Sequence, residues 1–395
     1  MKKRAFICGY YNFPRGCASS NYVQYLALAL MEIGYSTVLI TNENTSESNK
    51  PGGFLDKYKS NISLDPVTIA NGKILHYIDY QYRLGHYTKE ILNNYEITSE
   101  DLIVSYSREL CINMAILNVK KKTGAKTAVC ITEWFPTDEF KFGKFDRRYL
   151  EQKICMNDLY FKFDYVFPIS EYICNHFREK GKDVLCLPIM ADPNEFDYVE
   201  KTVNKKRKFI YPANGKIKDS IDITLNAFAK LSDEEFNRVE LHISGIKYEM
   251  LVNLMPKKLT SRVGKEIIVH QWMEYKELVS LYKDVNYLII SRGTNQMTLS
   301  NFPSKVPETM AYGVVPVVSD VGDYTKYYLR DNVDSLFIEE NSVDACLKVI
   351  KKAIYLETED LKSLSENART TCVTKFYYKV WCKQIKQYIL NEHIR

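Results

Sequence analysis

Apolar residues fall along the chain in two rhythms. Short, mainly apolar runs at 5–8, 36–40, 102–104, 127–131, 165–169 and 184–187 read as strands buried on both faces. Between the first two, Val23, Leu26, Leu30 and Ile33 recur at the spacing of one helix face, and Gly34 ends that helix. A loop at 9–20 precedes it, so the chain opens as a β-α-β unit. The pattern restarts at Phe209-Ile210-Tyr211, with a loop at 212–219 and a helix carrying Ile221, Leu225, Phe228 and Leu231. Further strands are predicted at 239–244, 267–269, 287–290, 315–318 and 335–338, with helical stretches between them. The expected fold class is α/β, two doubly wound Rossmann-like domains in tandem facing each other across a cleft.

With 395 residues, two domains are the expectation, an N-terminal one over 1–195 and a second over 196–374. The polar, basic stretch Glu200 to Lys208 reads as a solvated connection. The last segment, 375–395, places Tyr377, Trp381, Ile385 and Tyr388 opposite Lys375, Lys379, Lys383 and Lys386. It is predicted to be an amphipathic helix whose apolar side packs back on the N-terminal domain, its lysine row being the alternative contact with anionic lipid.

Composition narrows the chemistry. The formal charge of +5, from 54 Lys and Arg against 49 Asp and Glu, is too small for a dedicated nucleic-acid binder. The run after Met1-Lys2-Lys3-Arg4 is too short for a signal peptide, and no apolar run approaches a membrane span, so a cytoplasmic location is expected, with peripheral contact at the inner face of a membrane left open. Ten cysteines without a C-x-x-C pair and six isolated histidines predict reduced thiols and no metal. No D-x-D triplet offers a divalent-metal clamp, and no G-x-G-x-x-G argues for a nicotinamide enzyme.

The stretch 300–323, SNFPSKVPETMAYGVVPVVSDVGD, carries the most information. Pro307 is tolerated only in the first turn of a helix, which predicts a start near Ser304, with Ser304 as the N-cap, Gly313 as the stop and outward N–H groups on Lys305 and Val306. Such an end attracts anions, and Lys305 adds a full charge. Glu308, a turn further on, has the acceptors for the two hydroxyls of a ribose. Phosphate and ribose together point to a nucleotide.

Phe302-Pro303-Ser304-Lys305, Glu308, Met310-Ala311, Gly313, Pro316 and Asp320-Val321-Gly322 resemble the F-P-S-K-x-x-E-x-M-A-x-G region of GT-B-fold glycosyltransferases of the retaining family-four (group 1) type. Glu308 then corresponds to the second glutamate of that group's E-x7-E motif, while Ser300 stands where the first would be. The resemblance extends to residues 211–219, similar to the loop and lysine that open the donor domain. It implies donor contacts from Asn214, Gly215 and Lys218, with Lys218 on phosphate. Arg292, after the strand at 287–290, resembles the arginine some members carry to grip pyrophosphate. Gly16, beside Arg15 in the first loop, resembles the glycine facing the donor phosphates, or is a plain turn glycine. Glu133-Trp134 resembles an acceptor-side element in which the carboxylate orients or deprotonates the acceptor hydroxyl and the indole stacks on a sugar; a structural glutamate is the alternative.

The resemblance implies transfer of a sugar from a nucleotide diphosphate-sugar to an acceptor hydroxyl, retaining and metal-independent, without a cofactor. It names Glu133, Lys218, Arg292 and Glu308 as catalytic residues, and Gly16, Asn214, Gly215, Ser304, Lys305 and Val306 as further donor-binding ones. The expected partners are the nucleotide-sugar donor and a glycan or lipid-linked acceptor, in cell-envelope polysaccharide synthesis. A nucleotide-sugar epimerase and a non-catalytic nucleotide-sugar binder or partner subunit are the rival readings.

Overall fold

The computed structural model describes residues 3–390 except 16, 70, 71, 202–205, 213–218 and 272. The chain divides into two compact units, Met1–Met190 with Tyr378–Arg395, and Ala191–Tyr377. Each is built on one six-stranded, all-parallel sheet. Because both faces of such a sheet are covered, the strand centres are continuous apolar runs.

In the first unit the strands are β1 Lys3–Phe13, β2 Tyr35–Glu43, β3 Ile62–Pro66, β4 Leu102–Ser105, β5 Lys126–Ile131 and β6 Tyr165–Pro168. Their order is β3-β2-β1-β4-β5-β6, the dinucleotide-binding arrangement with its switch point between β1 and β4. The helix Ala18–Glu32 follows β1, and Gly34, at φ +102°, lets the chain turn into β2. Three expectations need correction. The loop placed at 9–20 begins only after Phe13, because Tyr11 and Phe13 are buried and β1 continues past a register shift between Cys8 and Asn12. The edge strand β3 was not predicted, since its polar alternation lacks the apolar run of a buried strand. The run 184–187 is not a strand: Leu185 and Leu187 donate to the Val166 and Pro168 carbonyls, but no return bonds complete a ladder among the described residues.

The second unit repeats the architecture with β7 Arg207–Pro212, β8 Val239–Ser244, β9 Ile267–Val269, β10 Tyr287–Ile290, β11 Val315–Ser319 and β12 Leu336–Ile338. The order β12-β11-β10-β7-β8-β9 is the same topology, its switch point falling between β7 and β10. Phe209, Tyr211, Leu241, Ile243, Tyr287, Ile289, Val315 and Val317 point to one face, where Leu225 and Phe228 of the helix Ile221–Ala229 and Ile350 and Ala353 of the helix Val343–Tyr355 close the core. After Thr371 the chain passes through a short π-helical turn, Cys372–Phe376, before the helix Tyr378–Leu390, so the expected single helix from 375 is broken at Tyr377.

Candidate functional site

In a parallel sheet every strand ends on the same edge, and ligands gather where the strand order reverses. In the second unit that place is the C-terminal ends of β7 and β10. Arg292 lies there, two residues past β10 and 4% exposed. Its Nε donates to Asp219 Oδ1 at 2.7 Å, Nη1 donates to Asn301 Oδ1 at 3.2 Å, and its backbone N–H donates to Ser319 Oγ at 2.8 Å. Asp219 closes the loop that follows β7, and the Ser220 amide donates to the Ser291 carbonyl at 2.8 Å. Asp219 and Ser220, the end of β10 and the segment leading to the next helix are thus locked together around a buried guanidinium. A buried cation of this kind is tolerable only because Asp219 pairs with it.

That next helix is Lys305–Met310. Ser304 precedes it in αR conformation without a side-chain cap bond, which corrects the expected N-cap. The Val306 N–H is not free either: it donates to the Pro303 carbonyl at 3.0 Å, a 3₁₀-type bond that tightens the first turn. The helix end does follow the glycine logic. Val314 N–H bonds to the Thr309 carbonyl and Gly313 N–H to the Met310 carbonyl, with Gly313 at φ +70°.

Glu308 is buried, and both its oxygens accept from Lys305 Nζ at 3.0 Å. Oε1 also accepts from the Tyr282 hydroxyl at 3.2 Å. Burial and the neighbouring Glu308 charge push that phenol well above its ordinary range, so it stays a donor. Tyr282 is held from behind, because the buried Lys201 Nζ donates to its carbonyl and, at 2.7 Å, to that of Val285. The helix start therefore presents a fixed carboxylate beside a half-buried cation. Ser300, at the position of the absent first glutamate, is fully buried and donates to the Met297 carbonyl at 3.3 Å.

Asn214, Gly215 and Lys218 lie outside the described residues, as does Gly16. Lys218 is adjacent in sequence to Asp219, the partner of Arg292. In the first unit Glu133 stands two residues beyond β5; burial is what chiefly raises the nearby Tyr106 phenol and Glu109 what chiefly raises the Arg108 guanidinium, the Glu133 charge adding to both. Trp134 packs its ring edge-on against His176 at 4.7 Å and tilted against Tyr172 at 5.8 Å, a structural use of the indole that sequence did not foresee. Asp219, Asn301, Tyr282 and Lys201 were missed as well. Sequence distance hid Asp219, Tyr282 and Lys201, while Asn301, only nine residues from Arg292, carries no motif signal, and nothing short of the fold pairs them.

Residues 194–371 match the family described as glycosyl transferases group 1. The chain carries a group 1 glycosyl transferase domain. No curated protein sequence is significantly similar. Among solved structures, Anabaena Alr3699/HepE in complex with UDP-glucose superposes at TM-score 0.70 with 12% identity, covering 100% of both chains. WaaG, a glycosyltransferase involved in lipopolysaccharide biosynthesis, gives 0.67 and 12% over 98% of this chain and 99% of its own. A glycosyltransferase from Rickettsia africae ESF-5 gives 0.68 and 14% over 99% and 100%. The fold is that of the GT-B glycosyltransferases, two Rossmann-like domains. Among the described residues no helix is long and apolar enough to cross a membrane.

Proposed function

We propose that the protein transfers a hexosyl group from a UDP-sugar to an acceptor hydroxyl, with retention and without a metal. The observation that carries this reading is the Lys305–Glu308 pair at a helix start, with the buried Arg292 beyond β10, in the part of the chain that matches the glycosyl transferases group 1 family. HepE in complex with UDP-glucose and the lipopolysaccharide galactosyltransferase WaaB, which share this fold, support a UDP-hexose donor and an envelope glycan acceptor. Glu308 keeps lone pairs for a ribose diol, Lys305 and Lys218 offset the diphosphate, and Arg292, pre-oriented by Asp219, stabilises the departing nucleoside diphosphate. The donor role of Gly16, Asn214, Gly215, Ser304 and Val306 rests on the family resemblance, as does the acceptor role of Glu133. We place the reaction in the cytoplasm.

The test is a thermal-shift series with UDP, UDP-glucose, UDP-galactose and their GDP counterparts, because a ligand that binds only the folded chain raises its melting temperature. A UDP-sugar is expected to raise it, and Glu308→Gln to weaken donor binding at least about tenfold, the loss of one well-placed charged hydrogen-bond partner. No shift with any nucleoside diphosphate would remove the proposal. Ser300 favours a second reading, a nucleotide-sugar binder without turnover, since no carboxylate stands at the first glutamate position. Donor binding with neither hydrolysis nor transfer would select it.

A further inference from the structure

The first unit gathers two thiols and a carboxylate that no step of the sugar transfer uses. Glu171 and Cys174 are three residues apart on the helix Glu171–Arg178, which follows β6, so they share one face of it. Cys186 comes from the segment beyond that helix, where Leu185 and Leu187 donate to the Val166 and Pro168 carbonyls of β6 at 3.1 and 2.8 Å. One oxygen of Glu171 and the two Sγ atoms all lie within 4.8 Å of one another. Cys174 is fully buried, Glu171 and Cys186 are half-buried, and both thiols are reduced. Sequence conceals the group, because a glutamate stands where the first cysteine of a C-x-x-C pair would and the last member is twelve residues on. The backbone on either side is held. Ser170 caps the helix, accepting from the Ile173 N–H at 3.4 Å, and Ile173 and Phe177 are buried beneath it. A tetrahedral zinc ion about 2.3 Å from sulfur keeps its ligand atoms about 3.5–3.8 Å apart, so side-chain torsions suffice to close these three onto one centre.

Two thiolates and a carboxylate around a divalent ion leave a single negative charge, and a cation stands beside them. The Arg178 guanidinium pairs with Glu171, Nη1 donating to Oε2 and Nη2, at 3.4 Å, to Oε1. That second bond is long. Oε1 is therefore able to turn to an ion while Oε2 keeps the arginine, the kind of outer hydrogen bond that supports a ligating carboxylate. The bond to Glu171 is what chiefly raises the guanidinium above its ordinary value, and the charges of Cys174 and Cys186 add to it, so the cation is within electrostatic reach of both sulfurs. The donor set chooses the metal. Magnesium and calcium take carboxylates, carbonyls and water, whereas a pair of thiolates selects zinc.

We propose that Glu171, Cys174 and Cys186 form a zinc site, the two cysteines binding as thiolates with their protons passing to solvent, and water taking the fourth position. The ion joins the helix Glu171–Arg178 to the segment that carries Cys186. The full-length chain, reduced with a phosphine and stripped by a chelator that is then removed, is titrated with cobalt(II) as a spectroscopic stand-in and afterwards with zinc. One equivalent of cobalt is expected to give a thiolate charge-transfer band with the d–d bands of a tetrahedral site; zinc bleaches both and magnesium leaves them. Cys174→Ser and Cys186→Ser are each expected to abolish the band. Glu171→Gln is expected to keep it and to lower zinc affinity at least about tenfold, the loss that even an outer partner of a ligand brings. Cys17→Ser, at an exposed cysteine elsewhere in the first unit, is expected to titrate as the wild type. The less buried Cys186 and Glu171 keep the test readable should Cys174→Ser fail to fold. No saturable cobalt band, a band that survives either cysteine substitution at the site, or unchanged affinity in Glu171→Gln overturns the proposal. So does a Cys174–Cys186 disulfide formed by hydrogen peroxide at the same rate with and without zinc, read by mass spectrometry, which would identify the thiols as a redox pair. The inference does not rest on the transferase reading, whose UDP-sugar thermal shift is measured separately.

Discussion

At the scale of single residues, the site is a chain of pairings: Lys201 to the Tyr282 carbonyl, the Tyr282 hydroxyl to Glu308, and Glu308 to Lys305. Glu308 was singled out by its motif and the predicted helix start, and Arg292 by the strand before it. Lys201 was not, since it sits in a basic stretch that composition reads as solvated, yet it is buried. Burial drives its ammonium down from 10.5 to about 7, against the opposing charge of Asp284. In the unfolded chain the amine holds its proton up to its ordinary value; in the folded chain it releases it above about 7. Between those values unfolding takes up a proton, so stability rises with pH, and the full penalty applies below the folded value. From pH 7 to 9 the melting temperature of the wild type should therefore climb relative to Lys201→Met, by a difference on the order of 2 kcal/mol. Parallel pH profiles would mean that the carbonyls keep the amine charged throughout.

Strands and helices were more legible than their pairings. Twelve apolar runs were predicted as strands and eleven became strands, because burial on both faces leaves a continuous apolar signal that needs no neighbour to be read. The misses lie where that signal is mixed: β3 alternates with polar residues at a sheet edge, and the far half of β1 is rich in tyrosine and asparagine. The stop at Gly313 was legible because a left-handed residue is a local requirement. A side chain there would suffer twice, from the backbone at φ +70° and from Ser365 Oγ, 2.6 Å from where a Cβ would sit. Ser365 cannot easily withdraw, since its hydroxyl donates to the Gly313 carbonyl at 2.6 Å. Gly313→Ala should cost more than ~1 kcal/mol, read as a lowered denaturation midpoint with an unchanged slope. An unaffected midpoint would show that the helix end relaxes into another turn.

On the scale of the molecule, the chain builds most of one unit, then the second, and returns to finish the first. Amphipathicity pointed to the final helix as an element packing back on the N-terminal domain, but not to the helix and strand of that unit that receive it. The helix Tyr378–Leu390 lies on the helix Ala18–Glu32, with Tyr378 stacked on Tyr25 and Lys379 reaching Glu32 at 3.4 Å. Its far end meets β6: the Tyr388 hydroxyl accepts from the Val166 N–H at 3.2 Å and donates to the Asp183 carbonyl at 2.9 Å, while the Tyr165 hydroxyl donates to the Ile389 carbonyl. Ile385, at the middle, is fully buried. Truncating it leaves a cavity, so Ile385→Ala should cost about 2–5 kcal/mol. Because this contact belongs to the first unit alone, the loss should be local. Amide exchange is expected to quicken in the helix Ala18–Glu32 and in β4 to β6, with β10 and β11 keeping their protection and UDP-sugars still raising the stability of the second unit. Quickening spread evenly over all twelve strands would mean that the two units unfold as one cooperative body, and that the returning helix stabilises the whole chain rather than the unit it completes.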